Sequence, residues 1–177
     1  ESDWVVARKG TLLFRGDSLQ TYEASFAAIK TLDDKAIIRV NEKTLFVISS
    51  EKDGKKFKHF VGVVAGEIWT RVKRGTQYQV GAANTRAAIK GTEFFTINRD
   101  DTVSYIVTEG VITCFMENDT MDVPKGFGLS VFPDGKYNLA KIKYVPTWHK
   151  RLGKLHELEI EFRNEKGERK HIRIEFE

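Results

Sequence analysis

The feature that most constrains this chain is a rhythm of short β-forming runs cut apart by turn residues. Ala36-Ile37-Ile38-Arg39-Val40, Thr44-Leu45-Phe46-Val47-Ile48 and Phe60-Val61-Gly62-Val63-Val64 are followed by Ile68-Trp69-Thr70-Arg71-Val72 and Tyr78-Gln79-Val80. Glu93-Phe94-Phe95-Thr96-Ile97, Val103 to Thr108 and Val111 to Met116 continue the series. Between them stand Asp33-Asp34, Lys52-Asp53-Gly54-Lys55, Arg74-Gly75-Thr76, Asn98-Arg99-Asp100-Asp101, Glu109-Gly110, Glu117-Asn118-Asp119 and Pro133-Asp134-Gly135. Strands this short, with turns every eight to twelve residues or so, indicate an all-β fold. Several runs, Val111 to Met116 among them, are apolar at consecutive positions. They are expected to lie between layers, dry on both faces.

Two alanine-rich segments fit the rhythm less well. Glu23 to Lys30 and Ala82 to Lys90 suit a helix by propensity as well as a strand. Both are short for an isolated helix.

The C-terminal end gives a sharper expectation. Leu158, Ile160 and Phe162 alternate with Glu157, Glu159 and Glu161; Ile172, Ile174 and Phe176 alternate with His171, Arg173 and Glu175. Each run is a strand with one oily face. Antiparallel pairing puts both oily sets on one side only if the loop has an odd number of residues. A three-residue loop, Glu165-Lys166-Gly167, meets that condition, with Gly167 in the left-handed position. It opposes Glu159 to Arg173, Glu161 to His171, and Glu157 to Glu175. A lone two-stranded ribbon is not stable, so its oily side needs a cover. The intervening stretch, Asn138 to Lys154, is basic with interleaved aromatics. The expected organisation is a β domain over 1–137, then a basic connection and terminal hairpin over 138–177.

The chain has 177 residues, enough to bury a core without metal or disulfide help. Its 29 Lys and Arg against 25 Asp and Glu are spread along the chain. That mild excess reads as a solvated surface rather than the concentrated basic footprint of a nucleic-acid protein. A single cysteine, Cys114, allows neither an internal disulfide nor a cysteine-based metal site. No apolar run approaches membrane-spanning length, and no signal peptide is evident. The chain opens on Glu1 rather than Met, which leaves room upstream for a removed leader or membrane anchor.

Few residues in the sequence point to chemistry. In Thr85-Arg86-Ala87-Ala88-Ile89-Lys90-Gly91-Thr92-Glu93-Phe94-Phe95, a lysine beside Gly-Thr suggests a phosphate loop. A phosphate loop, however, needs a lysine after its glycines and a helix to follow. Here a strand follows, so Gly91 is read as a sharp corner or close backbone approach, with Phe94 and Phe95 anchoring the strand. His59, His149, His156 and His171 show no metal-ligand spacing and sit among charged residues, as solvated surface histidines would. No nucleophile elbow occurs. Cys114 lies in an apolar strand, where a buried, inert thiol is the usual outcome. Two basic-aromatic patches remain. Lys55-Lys56-Phe57-Lys58-His59-Phe60 reads as a strand with a wet lysine face and a dry phenylalanine face. Tyr144, Trp148, His149, Lys150 and Arg151 form a candidate binding set, because an aromatic beside cations can stack on a sugar or base. The plainer reading has Trp148 plugging the connection onto the domain.

Taken in order, these motifs resemble the FecR-type domain family. The opening is Gly16-Asp17-Ser18-Leu19-Gln20-Thr21, with Ser25-Phe26-Ala27-Ala28-Ile29 and Ile37-Ile38-Arg39-Val40 behind it; Asp33-Asp34 stands where the family has an Asp-Gly turn. Val63 to Trp69, Tyr78-Gln79-Val80, Ala87 to Phe94, Glu109-Gly110-Val111-Ile112 and Val123 to Gly128 follow, so that the resemblance spans about residues 5 to 135. Within it, Gly91, Thr92, Glu93, Phe94, Glu109 and Gly110 are the structural motif. The resemblance favours strand at both alanine-rich segments. It implies a rolled β-sandwich, like a stubby solenoid, in which the Gly-Thr step joins two strands. It further implies a non-catalytic domain in the periplasm, secreted or at the cell surface, without cofactor or metal. In iron-responsive anti-sigma regulators such a domain receives a signal from an outer-membrane transporter. The expected function is therefore protein contact through strand edges or loops, with an envelope- or glycan-binding module as the alternative.

Overall fold

The computed structural model describes residues 4–49, 51–53, 56–151, 158–163 and 169–174. In chain order the first strands are β1 (Ser18–Gln20), β2 (Ala27–Lys30), β3 (Ala36–Val40), β4 (Leu45–Ile48), β5 (Glu51–Asp53) and β6 (Lys56–Val72). Then come β7 (Tyr78–Ala82), β8 (Thr85–Ile89), β9 (Glu93–Arg99), β10 (Thr102–Glu109) and β11 (Val111–Phe115). β12 (Thr120–Pro124), β13 (Phe127–Val131) and β14 (Tyr137–Lys141) complete the main body. A single helical turn, α1 (Trp148–Arg151), precedes the hairpin β15 (Leu158–Arg163) and β16 (Arg169–Ile174). Both alanine-rich segments are strand: β2 takes the end of the first, and the β7–β8 hairpin spans the second.

The long strand β6 organises the rest. Its first half pairs with β4 on one side and, in parallel, with β7 on the other. Its second half pairs with β3 and β9. The change of partners falls at Gly66, beside a bulge opposite Leu45 and Phe46. β6 therefore belongs to two layers. The first runs β1-β4-β6-β7-β8-β11-β12 and the second β2-β3-β6-β9-β10-β13-β14. After β6, hairpins alternate between the layers: β7–β8 and β11–β12 in the first, β9–β10 and β13–β14 in the second. The result is the rolled sandwich that the family resemblance implies.

One core lies between the layers. The second contributes Ile38, Val40, Ile68, Phe94, Val103, Tyr105, Val107 and Leu129; the first contributes Phe46, Val61, Val63, Val80, Ile89, Ile112 and Val123. These positions follow the two-residue period of a pleated strand. The layers are also bonded across the core, since the Thr85 and Tyr105 hydroxyls lie 2.8 Å apart, both buried.

Two expectations need correction here. Val111 and Phe115 are exposed while Ile112 and Cys114 are fully buried, so β11 is dry on one face only. Val64 is likewise exposed. A two-layer sandwich has a single interior, and apolar residues on its outer faces meet water unless something covers them. The expected boundary at 137/138 also falls inside a strand. Residues 137–141 form β14, paired with β13, so the basic stretch begins as an edge of the sandwich.

The terminal hairpin pairs Glu159 with Arg173 and Glu161 with His171, the register expected from a three-residue loop. The loop itself, Glu157 and Glu175 lie outside the described residues.

Candidate functional site: the glycine corners and the strap

The chain changes layers at one end of the sandwich, and there the motif residues meet. Gly91 lies on the β8-to-β9 crossing and Gly110 on the β10-to-β11 crossing. The two corners stack. A Cβ on Gly110 would lie 2.8 Å from the Thr92 hydroxyl and 2.9 Å from the Gly91 carbonyl oxygen, and Gly110 holds a φ of 79°. The Thr92 hydroxyl donates to the Val111 carbonyl at 2.9 Å. The Thr92 carbonyl accepts from the Val72 amide, and the Gly110 carbonyl from the Lys125 amide. Glu93 and Glu109 are register partners, and Phe94 enters the core beside them. Backbone amides and the hydroxyls of Thr92 and Thr108 satisfy the backbone carbonyls here, so Gly-Thr-Glu-Phe and Glu-Gly-Val build a corner.

The other set lies on the outer face of the second layer. A row of register partners crosses that face: Ala28, Arg39, Trp69, Phe95, Ile106, Gly128 and Ala140. Trp69 and Phe95 are outward-facing yet almost fully buried, at 2% and 0% exposure. The cover is a strap of residues 142–151. It leaves β14 where the Ile142 amide donates to the Gly126 carbonyl, crosses the sheet, and ends in α1.

Two strap side chains point into the sheet. The His149 imidazole stacks on the Trp69 indole, with centroids 5.0 Å apart and planes 17° apart, and meets Phe95 edge-on at 5.0 Å. Trp148 meets Phe95 edge-on at 6.2 Å. Its indole N–H donates to Glu67 Oε1 at 2.6 Å. Glu67 is itself buried and also accepts from Asn41 Nδ2 and from the Arg99 guanidinium. An Arg39 guanidinium N–H donates to the His149 carbonyl.

Charge is concentrated around Trp69. The Arg39 and Arg71 guanidiniums lie 5.3 and 5.0 Å from its ring centroid, within cation–π range. Arg71 bonds Glu93 through both Nε and Nη2, each at 2.9 Å. Burial, and then the nearby Arg71 charge, press the Arg39 pKa below its ordinary value. Burial likewise presses His149 below its usual range, with Arg39 and Lys150 adding to that effect. Glu93 and the Pro146 carbonyl oppose it.

Of the expected binding set, Trp148 and His149 are thus engaged with the sheet. Tyr144 and Lys150 are exposed, and Arg151 ends the helix. His149 is buried, and so is His59, which lies 2.9 Å from Asp33. The expectation of solvated histidines is corrected at both positions. His59 shares the strand face of Val61 and Val63, and that alternation was a readable signal. No periodicity marks His149, nor the sheet residues Arg39, Glu67, Trp69 and Phe95 as its receiver. Among the described residues, no group of three or more His, Cys, Asp or Glu is placed to hold a metal ion, and no helix is long and apolar enough to cross a membrane.

A two-layer β roll with stacked corners and a strapped outer face defines a compact β scaffold. The family model described as FecR protein matches residues 17–113, more than half of the chain, and the chain belongs to that family. Two crystal structures of a "putative anti-sigma factor" from Parabacteroides distasonis ATCC 8503 share the fold. Each has a TM-score of 0.61 at 15% identity, over 71% of this chain. The match spans 59% of that protein's length. No curated protein matches the sequence.

Proposed function

We propose that the chain is a non-catalytic, signal-receiving regulatory module that works outside the cytoplasm through contact with another polypeptide. Membership in the FecR family and the likeness to an anti-sigma factor support the regulatory part of this reading. The observation that carries the contact part is β14. Every residue from Tyr137 to Lys141 is exposed, and among the described strands β14 pairs only with β13.

The polarity of that edge follows from its ladder. The Phe132 amide bonds the Lys136 carbonyl, and the Ile142 amide bonds the Gly126 carbonyl. Alternation along an antiparallel pair then assigns the inward bonds to Asn138 and Ala140. The amides and carbonyls of Tyr137, Leu139 and Lys141 face outward, free to accept an added strand. Tyr137 and Leu139 supply an apolar border to it. A glycan partner would meet Tyr144 and Lys150 with Trp148 turned away, and no feature of the site favours that alternative.

Photocrosslinking in the native host tests the reading. A crosslinker at Tyr137 should trap a discrete polypeptide, whereas one at exposed Arg86 on the opposite layer should not. Leu139→Pro removes an outward amide without removing a ladder bond, and should abolish the adduct with the fold intact. Equal labelling from Arg86, or an adduct indifferent to Leu139→Pro, defeats it.

A further inference from the structure

The docked strap is an unusual piece of packing because its central side chain can gain a charge. His149 is 6% exposed and lies flat on Trp69. The groups facing it come from every element beneath it. Arg39 reaches it from β3 and donates to its carbonyl; Arg71 shares Trp69 from β6. Glu93 approaches from β9, and Lys150 neighbours it on its own helix. Glu67, also on β6, is committed to Trp148, Asn41 and Arg99. Among the described residues, Glu93 is the carboxylate that offsets a new charge here, and Arg71 already holds it by two bonds.

We propose that residues 142–151 form a proton-gated latch, docked on the second layer while His149 is neutral and released when His149 takes up a proton. A cation on an indole face is ordinarily favourable. Here the same ring already serves two guanidiniums, Arg39 half-buried and Arg71 largely exposed, and an imidazolium at the buried position of His149 would be a third cation beside it. Desolvating it and crowding it against Arg39 outweighs the ring's attraction. Once the strap lifts, the imidazolium is hydrated and its repulsion from Arg39 is screened.

The sign follows from proton counting. In the docked strap His149 titrates below its ordinary value of 6.5, so the released strap binds more protons as the pH falls through that value. Docking is at full strength above about pH 7 and weakens progressively below about 6.5, levelling off once both forms are protonated. Release bares Trp69 and Phe95, joined in register on the outer face, beside Arg39 and Arg71. The latch concerns a face distinct from the β14 edge and stands whether or not that edge receives a partner.

The three tryptophans provide the readout. In protein labelled with 5-fluorotryptophan, Trp69 and Trp148 report the docked strap, and exposed Trp4 serves as internal control. Between pH 7.5 and 5.0 the Trp148 and Trp69 resonances should move toward the position of a solvated indole and return on neutralisation, with Trp4 unchanged. His149→Phe keeps an aromatic that cannot take a proton and should hold both resonances at their docked positions across the range. His149→Gln, also uncharged, should be equally indifferent to pH if the phenylalanine variant fails to fold. A wild-type Trp148 resonance constant from pH 7.5 to 5.0 overturns the latch. So does a transition that persists unchanged in a folded His149 variant, because another group would then be the trigger.

Discussion

Gly91 passes so close to Arg74 that a Cβ placed on it would lie 2.5 Å from Arg74 Cγ and 3.0 Å from its Cα. The backbone there has a φ of 70°, a conformation that β-branched residues avoid. Both constraints point to one outcome for Gly91→Val. The left-handed backbone costs about 1–2 kcal/mol and the overpacking about 1–3 kcal/mol. The variant should lose roughly 2–5 kcal/mol in urea unfolding, seen as a lower midpoint at similar slope. Gly91→Ala should lose less. A Gly91→Val protein as stable as the parent would mean that the corner tolerates a side chain.

The bond between Thr85 and Tyr105 predicts an asymmetry. The Thr85 hydroxyl also donates to the Ala82 carbonyl at 2.7 Å, so Tyr105 donates to Thr85. Tyr105→Phe removes one bond but leaves Thr85 still donating, at a cost of about 1 kcal/mol. Thr85→Val strands the Tyr105 hydroxyl and takes the side-chain bond from the Ala82 carbonyl, and should cost more, about 2–3 kcal/mol. In the double variant the two costs should fall short of adding, because both single changes break the same contact. Additive losses would show that this bond does not tie the layers together.

These two sites also mark how far the sequence could be read. The corner was legible because Gly91 stands between an apolar run and a strand pattern, where a phosphate loop would need a helix. Strands β3 and β10 were legible as short β-forming runs, and the register of the terminal hairpin from alternation; β6, read as separate runs at 60–64 and 68–72, is one strand through Gly66. Which face of β11 meets water was not, since Val111, Ile112, Cys114 and Phe115 are all apolar and residue type alone cannot separate them. β14 was hidden in a stretch read as basic connection. The strap was hidden for a different reason: Trp148 and His149 find Glu67 and Trp69 some eighty residues away, and no local pattern encodes that contact. Chemistry that depends on such a meeting, including the burial of His149, appears only in three dimensions.

Acid stability should report on Asp33. Burial alone would raise its carboxyl, but hydrogen bonds from His59 and Thr31 outweigh that effect and hold it below its ordinary value of 3.8. A carboxylate depressed in the folded state contributes stability that is present above 3.8 and is lost as the pH falls through the lower folded value. Asp33→Asn should therefore be less stable than the parent at pH 6. The two should converge in the acid range, where the parent's carboxylate is protonated too. Urea midpoints at pH 6, 4 and 3 measure the difference. A gap that stays constant over that range would assign the effect to lost packing rather than to the charge on Asp33.

Cys114 offers a probe of the whole roll. It is fully buried in β11, and its thiol is pushed up to about 12, by burial first and by Asp122 second. Thiolate is the reactive form, so native Cys114 is shielded both by lack of access and by lack of charge. Ellman's reagent at pH 8 should leave the folded protein unlabelled over a time in which urea-unfolded protein reacts completely. Because Cys114 packs among residues from both layers, labelling should wait for the layers to separate rather than for an edge to fray. The labelling rate should then climb with urea in step with global unfolding. A thiol that reacts rapidly in the native protein would mean that β11 opens on its own, and that the first layer is less firmly closed than its core positions require.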